Sequence, residues 1–243
     1  MEHSTATKTA PADTAVRVKT RGAVRETIID VPAPGDNITI AAPNFLDAVF
    51  RIVGTAPYVQ AKFAEKSKRQ MVEKMIAGTR SKKGASRTAR NFEADYLAAQ
   101  HLSREGWNGI PAGAFRQACI SACRLVGFKM TLAKLGLFVE PDGFDVDEGT
   151  PLVRLYGKPR LHEQHVRNAT GVVDIRARPM WDEWHADLHI RWDGDLFTAT
   201  DISNLLLRVG QQVGIGEGRP DSRSSSGQGW GLFRVEYTKG IDK

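Results

Sequence analysis

The clearest pattern in the chain is a strict alternation. Trp184, Ala186, Leu188, Ile190 and Trp192 fall on one side, and Glu183, His185, Asp187, His189 and Arg191 on the other. A period of two with one apolar and one polar side predicts an antiparallel strand covered on one face. Ala48, Phe50 and Ile52 alternate with Val49, Arg51 and Val53, giving a first strand that ends at Gly54 and the turn containing Pro57. Val173, Ile175 and Ala177 alternate with Asp174, Arg176 and Arg178, and residues 232–237 supply a last strand. Helical spacing appears after Pro111, where Phe115, Cys119, Ala122 and Val126 repeat on one side of a helix expected over residues 111–126. Ile202, Leu205, Leu206 and Val209 form the buried stripe of a second helix, with Thr200 as its expected cap. Residues 61–75 are helical in pattern, order returns over 92–102, residues 128–139 read as a strand or two short apolar segments, and 140–149 as an acidic turn region.

In order, these elements are strand, helix, strand, strand, helix, strand, with insertions after the first strand and between the second and third. The expected class is α+β, a ferredoxin-like or RNA-recognition-type antiparallel sheet with helices on one face and long insertions; a general α+β sandwich is the competing assignment. Residues 1–37, rich in Thr, Ala, Pro and charge, predict a flexible N-terminal arm able to dock on a neighbouring molecule. Residues 38–243 predict a single domain with a basic insertion at about 61–105.

Charge sharpens this picture. The 243 residues carry 34 Lys and Arg against 28 Asp and Glu, a formal +6. Between Lys62 and Arg90 stand Lys62, Lys66, Lys68, Arg69, Lys74, Arg80, Lys82, Lys83, Arg87 and Arg90 against Glu65 and Glu73, so ten minus two places +8 here and about −2 in the rest. Residues 78–90 lack any period and their like charges repel, which predicts a mobile segment suited to a polyanion. Cys119 and Cys123 are the two cysteines, spaced to stack on a helix face as buried thiols. No apolar run is long enough to span a bilayer and no signal peptide opens the chain, so a cytoplasmic protein without membrane contact is expected.

Three groups of residues carry candidate chemistry. Gly214, Gly216 and Gly218, with Arg219, and then Gly227, Gly229 and Gly231 permit positive φ and a close backbone approach to a ribose-phosphate chain. Neither cluster continues into Gly-Lys-Ser or Gly-Lys-Thr, which excludes a nucleoside-triphosphate loop. Pro111 and Gly113 open a helix whose free amides favour a phosphate, with Arg116 as a further donor. Trp107 and Trp230 are candidate stacking surfaces, whereas Trp184 and Trp192 share the apolar strand face. His185 and His189 are too far apart along a strand for one metal, and His162, Glu163 and His165 read as an ordinary loop, so neither a metal nor a cofactor is expected.

Three segments resemble one family. Residues 46–58, Leu-Asp-Ala-Val-Phe-Arg-Ile-Val-Gly-Thr-Ala-Pro-Tyr, are similar to the first strand and turn of the RAMP proteins of CRISPR systems. Residues 108–119, with Pro111, Gly113, Phe115 and Arg116, resemble their glycine-containing helix start, although Ala112, Ala114 and Gln117 depart from it. Residues 214–220 and 227–235 resemble their glycine-rich loop and final strand. The resemblance implies a guide-RNA-coating backbone subunit. Such a subunit binds single-stranded RNA (or single-stranded DNA) through its backbone without catalysis, as a homo-oligomer or filament along the strand beside other effector subunits. Two alternatives stay open: a stand-alone virus- or plasmid-borne homologue, and a RAMP-type endoribonuclease, the latter lacking a histidine or tyrosine in a clear position for cleavage. The expected contacts are Lys62, Lys66, Arg69, Arg80, Lys82, Lys83, Arg87, Arg90, Trp107, Pro111, Gly113, Arg116, Gly214, Gly216, Arg219, Gly227, Gly229, Trp230 and Gly231.

Overall fold

A computed structural model describes residues 42–63, 69, 71–73, 75–76, 91–167, 173–222 and 227–236. The expected arm (1–37) and most of the basic run, including Lys66, Arg80, Lys82, Lys83, Arg87 and Arg90, lie outside the described residues.

The strands with the cleanest alternation build the central sheet. Strand β1 (Phe45–Gly54) lies between β9 (His185–Asp193) and β10 (Phe233–Glu236), and β4 (Leu137–Glu140) closes the other side of β9. The order is β10-β1-β9-β4 and every pairing is antiparallel. Register places Phe50 opposite Leu188, Ile52 opposite Ala186 and Leu137 opposite Trp192. These side chains are buried on one face, and Phe50, Ile52, Leu137 and Leu188 each contribute about 1.5–3 kcal/mol. Trp184 locks the edge by donating from Nε1 to the Ala56 carbonyl, and Trp192 likewise donates to Phe197.

Two helices contribute most of the helical part of the core. Helix α2 (Ala112–Ala122) follows Pro111, whose φ of −53° is already helical, and buries Phe115, Cys119 and Ile120; a short 3-10 turn, Cys123–Val126, extends it. Both cysteines are free and buried, and burial together with the neighbouring Cys123 pushes the Cys119 thiol up to about 12. Helix α4 (Ala199–Arg208) buries Ile202, Leu205 and Leu206 as its stripe predicts. Its cap is Thr198 rather than Thr200. Thr198 Oγ1 accepts from the Asp201 backbone N–H while the Asp201 carboxylate accepts from the Thr198 N–H, and that reciprocal pair fits an acid three residues after the cap.

Between these core elements the insertions build two small sheets. Strands β2 (Tyr58–Val59), β8 (Val173–Trp181) and β7 (Arg160–Arg167) form one, in the order β2-β8-β7; β3 (Gly109–Pro111), β6 (Pro151–Arg154) and β5 (Gly143–Phe144) form the other, in the order β3-β6-β5. Helix α1 (Phe92–Ala98) packs on β8. Three sequence expectations change. Residues 128–139 contain a helix, α3 (Met130–Gly136), whose buried positions are Ala133 and Gly136, before β4. His162 and His165 stand in β7, not in a loop: backbone pairing with β8 supplies order that a polar sequence does not announce. Arg178 is buried, since β8 is covered on both faces from Ala177 to Trp181 and its alternation stops there.

Candidate functional site

Residues 57–62 tie together the regions that the sequence marks out. Tyr58 and Val59 pair with Trp181 and Met180, and the Tyr58 ring packs 5.6 Å from Trp181 and 5.7 Å from Trp184. Burial raises the Tyr58 hydroxyl above its ordinary range, against the opposing hydrogen bond from Gln60. Gln60, itself buried, donates from Nε2 to Tyr58 Oη (3.2 Å) and to the Gly109 carbonyl (2.8 Å), and accepts from the His101 backbone N–H (2.8 Å). It thereby fixes the strand that runs into α2 through Pro111.

The glycine-rich segment lies along the same six residues. Gly231 N–H donates to Pro57 O (2.8 Å) and Glu217 N–H to Val59 O (2.9 Å). Gly214, Gly216, Gly218, Gly227, Gly229 and Gly231 all have positive φ. At Gly231 an added Cβ would stand 1.8 Å from Ile215 O, and at Gly216 it would stand 2.5 Å from the Tyr58 ring, so these two are required by packing whatever else they contact. Gly229, by contrast, faces open space. Arg219 donates to Gly216 O (2.9 Å), bracing the turn from within.

The basic excursion is rooted here too. Lys62 N–H donates to Ala99 O (3.1 Å), so the chain leaves and returns at one point. The Lys62 ammonium does not face solvent. It is 5% exposed and lies 2.9 Å from Asp145 and 2.6 Å from Asp147. Asp145 is fully buried and also receives His101 Nδ1 (2.9 Å) and the N–H groups of Asp147 and Glu148. Burial pushes its carboxyl up, but the donors from Lys62, His101 and the backbone outweigh this and hold it at about 2. Lys62 is therefore a clamp on the root of the excursion. Arg69, the other described residue of the basic run expected as a contact, is exposed in a helical stretch.

Other expected contacts are placed elsewhere or already engaged. Gly113 is exposed at the start of α2, next to Pro111. Arg116 donates to Leu137 O (2.9 Å) and to Lys134 O and lies 5.1 Å from the Phe138 ring, so it joins α2 to α3 and β4. Trp107 donates to Glu105 (3.0 Å) and packs against Gly109 and Gly143. Trp230 covers Gly218 and meets the edge of His162 at 5.5 Å.

On the outer face of the central sheet, Arg51 pairs with Asp187 (2.8 Å), Arg191 with Glu140 (2.9 Å) and Arg234 with Glu236 (2.9 Å). Each arginine there meets a carboxylate, which leaves that face little attraction for phosphate. Two groups under the glycine-rich segment, the buried Arg178 and the half-buried His162, escape sequence reasoning as a pair: their cross-strand register is invisible until β7 and β8 are paired. Among the described residues no group of three or more His, Cys, Asp or Glu side chains is arranged for a metal, and no helix is long and apolar enough to cross a membrane. No protein-family model matches the sequence, and no curated protein is significantly similar to it.

Proposed function

We propose that the chain binds single-stranded nucleic acid, RNA foremost, through its sugar-phosphate backbone and without catalysis, as a subunit repeated along the strand of a CRISPR-type ribonucleoprotein. The observation that supports this reading best is the convergence on residues 57–62 of the glycine-rich segment, the strand leading into α2 and the root of the basic excursion. These elements are far apart in sequence, and together they bring the start of α2, with its first-turn amides, and the basic run beyond Lys62 to one region, the groups a phosphate chain would use. Counting β1, β4, β9 and β10 as first to fourth, the order β10-β1-β9-β4 also fits a ferredoxin-like sheet. The local +8 of residues 62–90 becomes +7 once Lys62 is set aside, which still concentrates positive charge beyond the root.

The test is a salt titration of binding to a single-stranded RNA of roughly 30 nucleotides. Exchange of Arg80, Lys82, Lys83, Arg87 and Arg90 for Ser lowers affinity for every sequence alike and reduces the log-log salt slope by up to about 3.5, at roughly 0.7 per phosphate. An unchanged slope removes the excursion from the interface. Absence of wild-type binding at low salt overturns the function itself.

A further inference from the structure

Arg178 is an uncommon kind of arginine. Its side chain is 7% exposed, and among the described residues its ion-pair partner is Glu217, with one nitrogen 3.3 Å from one oxygen. A guanidinium presents five N–H donors, and a well-made carboxylate pair is bidentate at about 2.7–2.9 Å. The closest approach of this pair is longer than that. Burial lowers the Arg178 pKa; Glu217 opposes the effect and neighbouring Arg176 adds to it.

Directly across the ladder from Arg178 stands His162, whose Nε2 is buried without a hydrogen-bond partner. Burial, followed by the charges of Arg160 and Arg178, lowers the His162 pKa, so its ring is neutral at pH 7 and can donate from Nε2. Arg160 is itself held by Asp182, at 2.5 and 2.9 Å, and does not need a further acceptor. The outer wall is the glycine-rich segment: Trp230 touches the His162 ring, and Glu217 belongs to the turn that crosses Val59. Glu217 is 36% exposed and can swing into water.

We propose that Arg178 and His162 form a phosphate site in which Glu217 is a placeholder: a phosphodiester oxygen pair takes the Arg178 fork and the His162 Nε2 donor when Glu217 turns outward. The exchange replaces a long contact with a bidentate pair and gives the buried imidazole nitrogen the partner it lacks. The site lies beneath the segment that docks on residues 57–62. Its assignment to a nucleic-acid phosphate rests on the function proposed above; its affinity for phosphate as such does not.

Glu217→Gln supplies the sharpest test, because it removes the competing carboxylate at a partly exposed position without opening the core. Glu183→Gln, an exposed change of the same charge, is the control. The RNA used above is expected to bind Glu217→Gln at least about threefold more tightly than Glu183→Gln, beyond the non-specific gain of one charge that both share. In parallel, inorganic phosphate is titrated while the His162 imidazole is followed by nuclear magnetic resonance. A saturable shift is expected in the wild type, at lower phosphate concentration in Glu217→Gln and absent in Arg178→Gln. Should Arg178→Gln fail to fold, the two glutamate variants still decide. Equal RNA affinities for those two variants overturn the site as a strand contact. An unmoved His162 signal overturns it as a phosphate site. If the wild type binds no RNA but phosphate shifts His162 more readily in Glu217→Gln, the nucleic-acid reading falls and the phosphate site stands.

Discussion

Replacing Lys62 with Met separates a structural role from a nucleic-acid contact at one position. The Lys62 side chain is 5% exposed, and of its two carboxylate partners Asp145 is fully buried and Asp147 half exposed. Breaking one side of a buried ion pair costs about 3–5 kcal/mol because the remaining charge is stranded. Here His101 and two backbone N–H groups still reach Asp145, so the low end, about 3 kcal/mol, is expected, or roughly 6–12 °C in Tm for a chain of this size. The pH dependence gives an independent measure. Asp145 is held at about 2 against an ordinary 3.8, a depressed acid whose stabilisation is present above the unfolded value and is lost as pH falls from about 4 towards 2. That depression is worth about 2 kcal/mol. Chemical denaturation at pH 7, 4 and 3 should show wild type and Lys62→Met far apart at neutral pH and converging in acid. The double variant with Asp145→Asn should recover part of the loss. RNA binding by the folded variant should keep the wild-type salt slope. Stability within about 0.5 kcal/mol of wild type, combined with a slope reduced by about 0.7, would refute the clamp and make Lys62 a phosphate contact.

Four further variants test placements described above. Gly231→Ala drives a Cβ into the Ile215 backbone at positive φ and should abolish soluble folded protein, whereas Gly229→Ala meets open space and should lose only about 1–2 kcal/mol of left-handed strain, as read by thermal unfolding. Arg116→Leu removes donors to Leu137 O and Lys134 O; a loss of about 1–3 kcal/mol with unchanged RNA affinity in the folded protein would fix it as a brace. Thr198→Ala dismantles the capping box of α4 and should cost about 1 kcal/mol in denaturant titration without altering binding.

By itself the sequence determined the elements whose burial is one-sided. The alternations in β1 and β9 and the stripe of α4 mark which face of each turns to the core, whereas α2 keeps Phe115, Cys119 and Ala122 inside but also buries Ile120 and Ser121, and Val126, expected on its buried side, is exposed. It also located the basic run and the two glycine clusters, because composition is local. Only the tertiary structure decided which of those residues are already committed. Lys62 finds Asp145 83 positions later, Gly231 lies against Ile215, Arg116 turns to the carbonyls of α3 and β4, and Arg178 meets Glu217 beneath a segment absent from its own neighbourhood in sequence. A lysine or glycine looks the same in sequence whether it faces solvent or a buried carboxylate. What distinguishes the two is desolvation and the partner across the fold, and both exist only once β2, β8 and the glycine-rich segment are packed together.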